Sequence, residues 1–232
     1  MISLEVGLDI NTDPPLVPRA LGRGSCKLIL DPNYSGNTVV GGKFSSLRDR
    51  SGKNNHAAQA SGALQLTKAS GIVNGHSVMR GTGTGTHMTF AGGVPIGASA
   101  TIAVVASPLT GNGYLFSDGA SSTAILGGFF SHVFSWFNNT DRGTFTDAAT
   151  GFHTMIITQA AGGNFIGYYD GTQVFSTAVA IPLNSITHLM NSNGLAQGAI
   201  GDMAYMAAYA SVLTSGERAH LQAWLKRRFG TP

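Results

Sequence analysis

The sequence predicts an all-β domain, a sandwich or barrel of short strands, with one short amphipathic helix near the C-terminus. Three observations carry that prediction. Hydrophobic residues make up 43% of the 232 residues, enough for a sizeable core, while 32 glycines argue against long helices. Runs rich in β-branched and aromatic residues recur at short spacing between Gly, Asn, Ser and Asp turns. Asp170-Gly171 joins two of those runs and supplies the positive φ angles of a two-residue hairpin.

In chain order, residues 1–25 come first and differ from the rest. Pro14, Pro15 and Pro18 precede Arg19, Gly22, Arg23 and Gly24. Proline fixes φ and removes a donor, so neither a helix nor a central strand fits. An extended arm is expected. Leu4, Val6, Leu8 and Ile10 alternate with polar or small residues, the pattern of a strand with one apolar face. The arm is therefore expected to add a strand to a sheet edge, its own or a neighbour's, and to serve assembly.

The domain proper is expected over 26–232. Strands are expected at 101–106, 152–158, 164–169, 172–176 and 203–209. Within 164–169, Phe165, Gly167 and Tyr169 share one face, with Ile166 and Tyr168 on the other. Residues 81–86, alternating Gly and Thr, read as a flexible loop or a flat strand edge. Near the C-terminus, Thr214 and Glu217 have capping-box spacing. Leu221, Trp224 and Leu225 then fall at i, i+3 and i+4, with Trp224 expected as the helix's anchor on the sandwich. Lys226, Arg227 and Arg228 fill the last turn, and Gly230 supplies the stop.

Charge excludes several functions. Lys and Arg total 14 against 11 Asp and Glu, a net +3, and charged residues make up only 11%. A nucleic-acid surface needs clustered cations with aromatic platforms. The one basic cluster, Lys226–Arg228, reads as a complement to the helix dipole. No apolar run approaches the roughly 20 residues of a membrane helix. Cys26 is the single cysteine, so no internal disulfide is expected. The first residues lack a basic n-region and a long apolar h-region, so either synthesis in a cytoplasm or a mature fragment is expected, the cytoplasm ahead of a secreted or cell-surface place. Low charge in such a chain suits packing into a larger assembly.

Catalytic chemistry has few candidates. Glutamate occurs at Glu5 and Glu217 alone, the first in the arm and the second in the capping box. Asp31, Asp49, Asp118, Asp141, Asp147, Asp170 and Asp202 sit mostly in turn contexts, where the carboxylate bonds nearby backbone. The paired acids of a glycosidase are therefore not expected. The seven histidines have no metal-site spacing, and no nucleophile elbow or phosphate loop occurs. The 49–55 loop is rich in oxygen, but Arg50 and Lys53 oppose a cation, and a turn is the expected reading. No cofactor, metal or catalytic residue is expected.

These pieces together resemble the concanavalin A-like lectin/glucanase superfamily, and within it the laminin G-like branch. Four segments carry the likeness. Leu28-Ile29-Leu30-Asp31-Pro32 resembles the branch's opening strand. Leu47 to Ala57 contains Asp49-Arg50-Ser51-Gly52-Lys53-Asn54-Asn55-His56-Ala57, similar to its D-x-S-G-x-x-N-H-A loop and the most specific match. Tyr168-Tyr169-Asp170-Gly171-Thr172-Gln173-Val174 resembles its Y-x-D-G-x-x-V hairpin. Residues 201–218 are similar to its closing strand and capped helix. The likeness covers roughly residues 26–230 and implies a jelly-roll sandwich of two antiparallel sheets. Members bind sugars, proteins or calcium, and many are non-catalytic. The branch's acidic stretch after the strand at 77–80 is replaced here by 81–87, which contains no acid.

Two functions are expected on these grounds. The first is a structural or adhesion module of a larger assembly, a bacteriophage virion protein, made in the host cytoplasm. Its partners would be other virion proteins met through the arm, and it would be a homo-oligomer. The alternative is a carbohydrate-binding module whose Trp136, Phe137, Tyr168 or Tyr169 stack on sugar rings.

Overall fold

Alternating turn signals cut the chain into short strands. The computed structural model describes residues 25–83, 85–107, 112–118, 125–130, 133–138, 141–146, 151–178, 183–191 and 198–232, with backbone alone at 112, 125–130, 133–138 and 141–142. Leu4, Val6, Leu8 and Ile10 lie outside the described residues.

In chain order the elements are β1 (Cys26–Leu30), β2 (Thr38–Val40), β3 (Lys43–Leu47), β4 (Ala57–Ala58), β5 (Thr67–Val73), β6 (His76–Thr82), β7 (Met88–Pro95), β8 (Ala100–Ala106) and β9 (Asn112–Ser117). There follow β10 (Ile125–Phe130), β11 (Val133–Asn138), β12 (Asp141–Thr146), β13 (His153–Gln159), β14 (Asn164–Tyr169), β15 (Thr172–Ala178), β16 (Ser185–Leu189), β17 (Ile200–Tyr209) and the helix α1 (Ser215–Phe229). No helix among the described residues is long and apolar enough to cross a membrane.

Antiparallel pairing builds two sheets. One runs β5–β6–β17–β8–β13–β14–β15, with β1 beside β6 along the same edge of β17. The other runs β2–β3–β4–β7–β16–β9–β10–β11–β12. Among the described residues one strand pairing, Lys43 with Thr67, joins them. The fold is thus the expected antiparallel β-sandwich with one C-terminal helix.

Two cores explain the sequence pattern. Between the sheets lie Leu28, Leu30, Ile102, Val104, Met155, Ile157 and Met206 from one side, and Phe44, Leu47, Phe90, Phe116 and Ile186 from the other. On the outer face of the first sheet, Ile29, Ala103, Val105, Ile156, Ala207 and Tyr205 pack under Leu221, Leu225 and Phe229 of α1. The first sheet is covered on both faces. Its central strands β8 and β13 are buried at every position, as strands between two layers must be.

Hairpins and caps follow local chemistry. Asp170 (φ 47°) and Gly171 (φ 86°) form the expected β14–β15 turn. Asn74 (φ 45°) and Gly75 (φ 79°) form a second such turn between β5 and β6, signalled by the same kind of dipeptide. Thr214 and Glu217 form the expected capping box, and Gly230 ends the helix at φ 66°.

Two expectations for α1 need correction. Its anchors are Leu221, Leu225 and Phe229, whereas Trp224 is only half-buried, its ring edge on Tyr205 at 5.4 Å. Phe229 lies one turn beyond the stripe read from the sequence and closes it. Arg228 is not a solvated dipole complement: its side chain is 7% exposed and is paired with Asp31.

The 49–55 loop is a clamp on β1. Asp49 Oδ1 accepts from the N–H groups of Ile29 (3.0 Å) and Ser51 (2.8 Å), and Oδ2 accepts from Ser51 Oγ (2.7 Å) and the Asn55 N–H (3.0 Å). Asn55 Nδ2 donates to the Lys27 carbonyl at 2.7 Å, and Ser51 Oγ, its one proton turned to Asp49, lies 3.1 Å from the same carbonyl. The His56 ring accepts the Asp49 N–H through Nδ1. The most specific motif of the sequence is therefore spent on structure. Cys26 beside it is inert, because burial, helped by the Asp49 charge, pushes its thiol up to about 12.

Candidate ligand site at the helix seam

Alternation along β14 sends its two adjacent tyrosines to opposite faces. Tyr169 points into the inter-sheet core, 7% exposed, stacked on His153 at 4.8 Å and tilted against Phe145. It offers no exposed face to a sugar, which corrects its reading as a surface aromatic. Tyr168 points outward toward α1, half-buried, beside Ile156 of β13. Because they face opposite sides of β14, Tyr168 and Tyr169 do not share one platform. Trp136 and Phe137 lie on β11, opposite Gly127 and Leu126 of β10, and their side chains lie outside the described residues.

Tyr168 borders a cavity of about 510 Å³ between α1 and the β13–β14 face. A cavity of that size suits a small ligand. Helix geometry supplies its upper wall. Arg218, Gln222 and Lys226 recur every fourth residue and so share one face of α1, next to the stripe that carries Leu221, Leu225 and Phe229. Ala219 and Ala223 lie on the same wall, and their short side chains leave the space open.

The wall is ordered. The Arg218 guanidinium lies 4.4 Å from the centroid of the Tyr168 ring, and its Nη1 donates to the Leu213 carbonyl at 2.8 Å. Gln222 is half-buried, yet both Oε1 and Nε2 are shielded from solvent and have no hydrogen-bond partner among the described residues. An unpaired buried amide costs free energy, on the order of 1–3 kcal/mol. On the sheet side, Asp170 Oδ2 meets His153 Nδ1 at 2.6 Å and Oδ1 accepts the Thr154 N–H at 2.9 Å.

Sequence reasoning missed this wall because it read the helix only for its apolar stripe. The signal was present: three polar side chains at fourfold spacing beside small residues, on a helix otherwise laid against a sheet. It also missed His153–Asp170, which the hairpin brings together from 17 residues apart. That pair resembles part of a catalytic relay, but His153 Nε2 is buried with no partner among the described residues and faces no nucleophile there.

A second histidine pair is equally non-sequential. His87 and His188 approach with ring centroids 6.1 Å apart. His87 Nδ1 meets the Gly85 carbonyl at 2.7 Å and must carry the proton, so Nε2 accepts from Gln59 Nε2 at 2.8 Å. Both nitrogens are committed. Among the described residues no group of three or more His, Cys, Asp or Glu side chains is placed to hold a metal ion.

Three further carboxylates are also committed. Asp31 meets Arg50 and Arg228, Asp202 meets Arg80 through two 2.7 Å bonds, and Glu217 serves its cap.

No family model matches the chain. No curated protein matches it in sequence. Solved structures do match in fold. The binding domain of Botulinum neurotoxin serotype D superposes with TM-score 0.65 at 10% identity, over 90% of this chain and 55% of that one. A Botulinum neurotoxin type C structure, whose description names interaction with two ganglioside molecules in cell entry, gives 0.54 at 14% identity, over 88% and 52%. A GH54 α-L-arabinofuranosidase gives 0.60 at 15% identity, over 78% and 50%. The chain spans about half the length of each. At such identities the likeness concerns fold, and it places the chain among β-sandwich domains of the jelly-roll kind.

Proposed function

We propose that this chain is a non-catalytic β-sandwich module of the laminin G-like kind that binds glycans, with its site in the seam between α1 and the β14–β15 hairpin. One observation carries the reading. The seam holds a cavity of about 510 Å³ whose wall carries an aromatic ring and the side chain of Gln222, whose amide, shielded from solvent, has no partner among the described residues. Sugars are recognised by that combination: amides and other neutral polar groups for hydroxyls, and apolar surface for ring C–H faces. The commitment of Asp31, Asp49, Asp170, Asp202 and Glu217 to structural partners supports binding without hydrolysis. The ganglioside interaction named for the type C neurotoxin structure favours a glycan over a peptide.

A printed array of neutral and acidic glycans tests the reading, followed by titration with the retained glycan. Binding that weakens at least about tenfold in Gln222→Leu, with melting unchanged, supports it. Failure to retain any glycan at millimolar concentration overturns it.

A second reading, an attachment module of a larger particle such as a virion, is favoured by β2. Among the described residues this edge strand pairs with β3 alone, and it leaves Val39 38% and Val40 63% exposed, an apolar edge that suits a neighbour's strand. Here the partners are other assembly proteins or further copies of this chain, reached through β2 and residues 1–25.

A further inference from the structure

The charge pattern of the seam narrows the ligand class, provided the seam is the glycan site proposed above. Arg218 and Lys226 both line the cavity, and neither pairs with a carboxylate among the described residues. The acid on the opposite wall, Asp170, is turned away from them, with one oxygen on His153 and the other on the Thr154 N–H. Two cations therefore face the space, the one acidic side chain on its wall among the described residues is engaged elsewhere, and the main chain of Pro232 closes the same wall.

Their placement differs. Arg218 is held on both sides, by the Tyr168 ring at 4.4 Å and by the Leu213 carbonyl at 2.8 Å through Nη1. A guanidinium fixed in this way presents its remaining N–H groups in a set plane. That suits a planar carboxylate, which takes two parallel hydrogen bonds from one fork. Lys226 comes eight residues later, about 12 Å along the helix axis. Its exposed ammonium acts as a point charge that raises the potential at the far end of the cavity. Gln222 lies between them, its amide shielded from solvent and without a partner among the described residues. The terminal torsion of glutamine is broad, so its amide can turn out of this shielded place to meet hydroxyl groups in the cavity.

We propose that the seam selects acidic glycans, with the carboxylate of a uronic or sialic acid unit on Arg218, hydroxyls on Gln222, and Lys226 adding attraction from the far end. Binding is non-covalent and moves no proton.

The test is calorimetric titration of the full chain with oligogalacturonate and with a sialylated oligosaccharide, each compared with its neutral methyl ester. The acid is expected to bind at least about tenfold more tightly than its ester, and the preference is expected to shrink as salt rises. Lys226→Gln and Arg218→Lys, checked for unchanged melting, are expected to reduce that preference at least about threefold each, Arg218→Lys because an ammonium cannot reproduce the fork. Should Arg218→Lys lower the melting temperature, the exposed Lys226→Gln carries the test alone. Equal binding of acid and ester overturns the inference and leaves glycan binding standing. Acid binding that none of the seam variants changes also overturns it, since the site is then elsewhere. Binding of no glycan, acidic or neutral, overturns both.

Discussion

Arg228, in the last turn of α1, donates to Asp31 just after β1 at 2.7 Å, across 197 residues of chain. Asp31 is 1% exposed, and the same Oδ2 also accepts from Arg50 at 3.1 Å. Its Oδ1 accepts from the backbone and side chain of Asn33. The first described strand and the last helix are thus pinned by one buried carboxylate. Burial pulls Arg228 below the usual arginine range even with Asp31 beside it, so the pair is held against a desolvation cost. Removing one partner leaves the other charge buried. Arg228→Met is expected to cost about 3 kcal/mol, while the same change at the exposed Arg227 is expected to stay within about 0.5 kcal/mol. Denaturant midpoints at equal m-values check it.

Phe229 is expected to outweigh Trp224 in stability. Phe229 is 2% exposed among Tyr205, His76 and the outer-core aliphatics. Phe229→Ala is expected to cost about 3–5 kcal/mol. Trp224 keeps part of its surface in water, and Trp224→Ala is expected to cost about half as much. Thermal melting of the two variants side by side settles the order, and a larger loss for Trp224 would contradict the packing described.

Much of this architecture was legible in the residues. The hairpin at Asp170-Gly171 and the capping box at Thr214 and Glu217 depend on neighbours within a few residues, so local chemistry suffices to read them. The partial alternation in β14 was legible too: Phe165, Gly167 and Tyr169 do share the inner face. What escaped was set by distance in sequence. Asp31 looks like a turn aspartate until Arg228 arrives from the far end of the chain. Trp224 has the larger ring, but its place on the helix relative to β17 decides burial, and that angle is tertiary. The cavity wall at Arg218, Gln222 and Lys226 needed only helical spacing, yet its meaning depends on the hairpin beneath it.

Stability is expected to fall as pH drops below neutrality. Burial first, and Arg228 second, hold His76 below its ordinary value of 6.5, with Asp31 opposing more weakly. Burial first, and His87 second, do the same to His188. A depressed imidazole is protonated more readily in the unfolded chain. The stability it contributes is full above 6.5 and is lost as pH falls from there toward the folded-state value. The melting temperature should therefore decline between about pH 7.5 and pH 5, and the double variant His76→Gln, His188→Gln should flatten part of that slope. A slope unchanged in the double variant would place the acid sensitivity in other groups.

A glycine pair sets the closure at one side of the sandwich. The Phe175 ring of β15 lies against Gly167 of β14 and Gly143 of β12, and a Cβ on either glycine would overlap it. Gly167 has no unusual φ, so the constraint is space alone. Gly167→Ala is expected to cost about 1–3 kcal/mol through overpacking. Adding Phe175→Leu, which shortens the ring side, is expected to recover part of the loss, and non-additivity in the double-mutant cycle is the measurement.

The oxygen-rich loop at 49–55 is expected to hold its shape without calcium. A cation at Asp49 would need carboxylate lone pairs that already accept four hydrogen bonds, from Ile29, Ser51 twice, and Asn55. Binding would release those donors into a partly buried loop, and Arg50 and Lys53 would oppose the charge. Chelator is therefore expected to leave the melting temperature unchanged. Asp49→Asn keeps the shape but turns one acceptor into a donor that faces N–H or O–H groups, so it is expected to cost about 2 kcal/mol or more. The two outcomes belong together. A chelator-induced drop in melting would mean that the loop trades its internal bonds for a cation, and the clamp on β1 would then be a metal site rather than a turn.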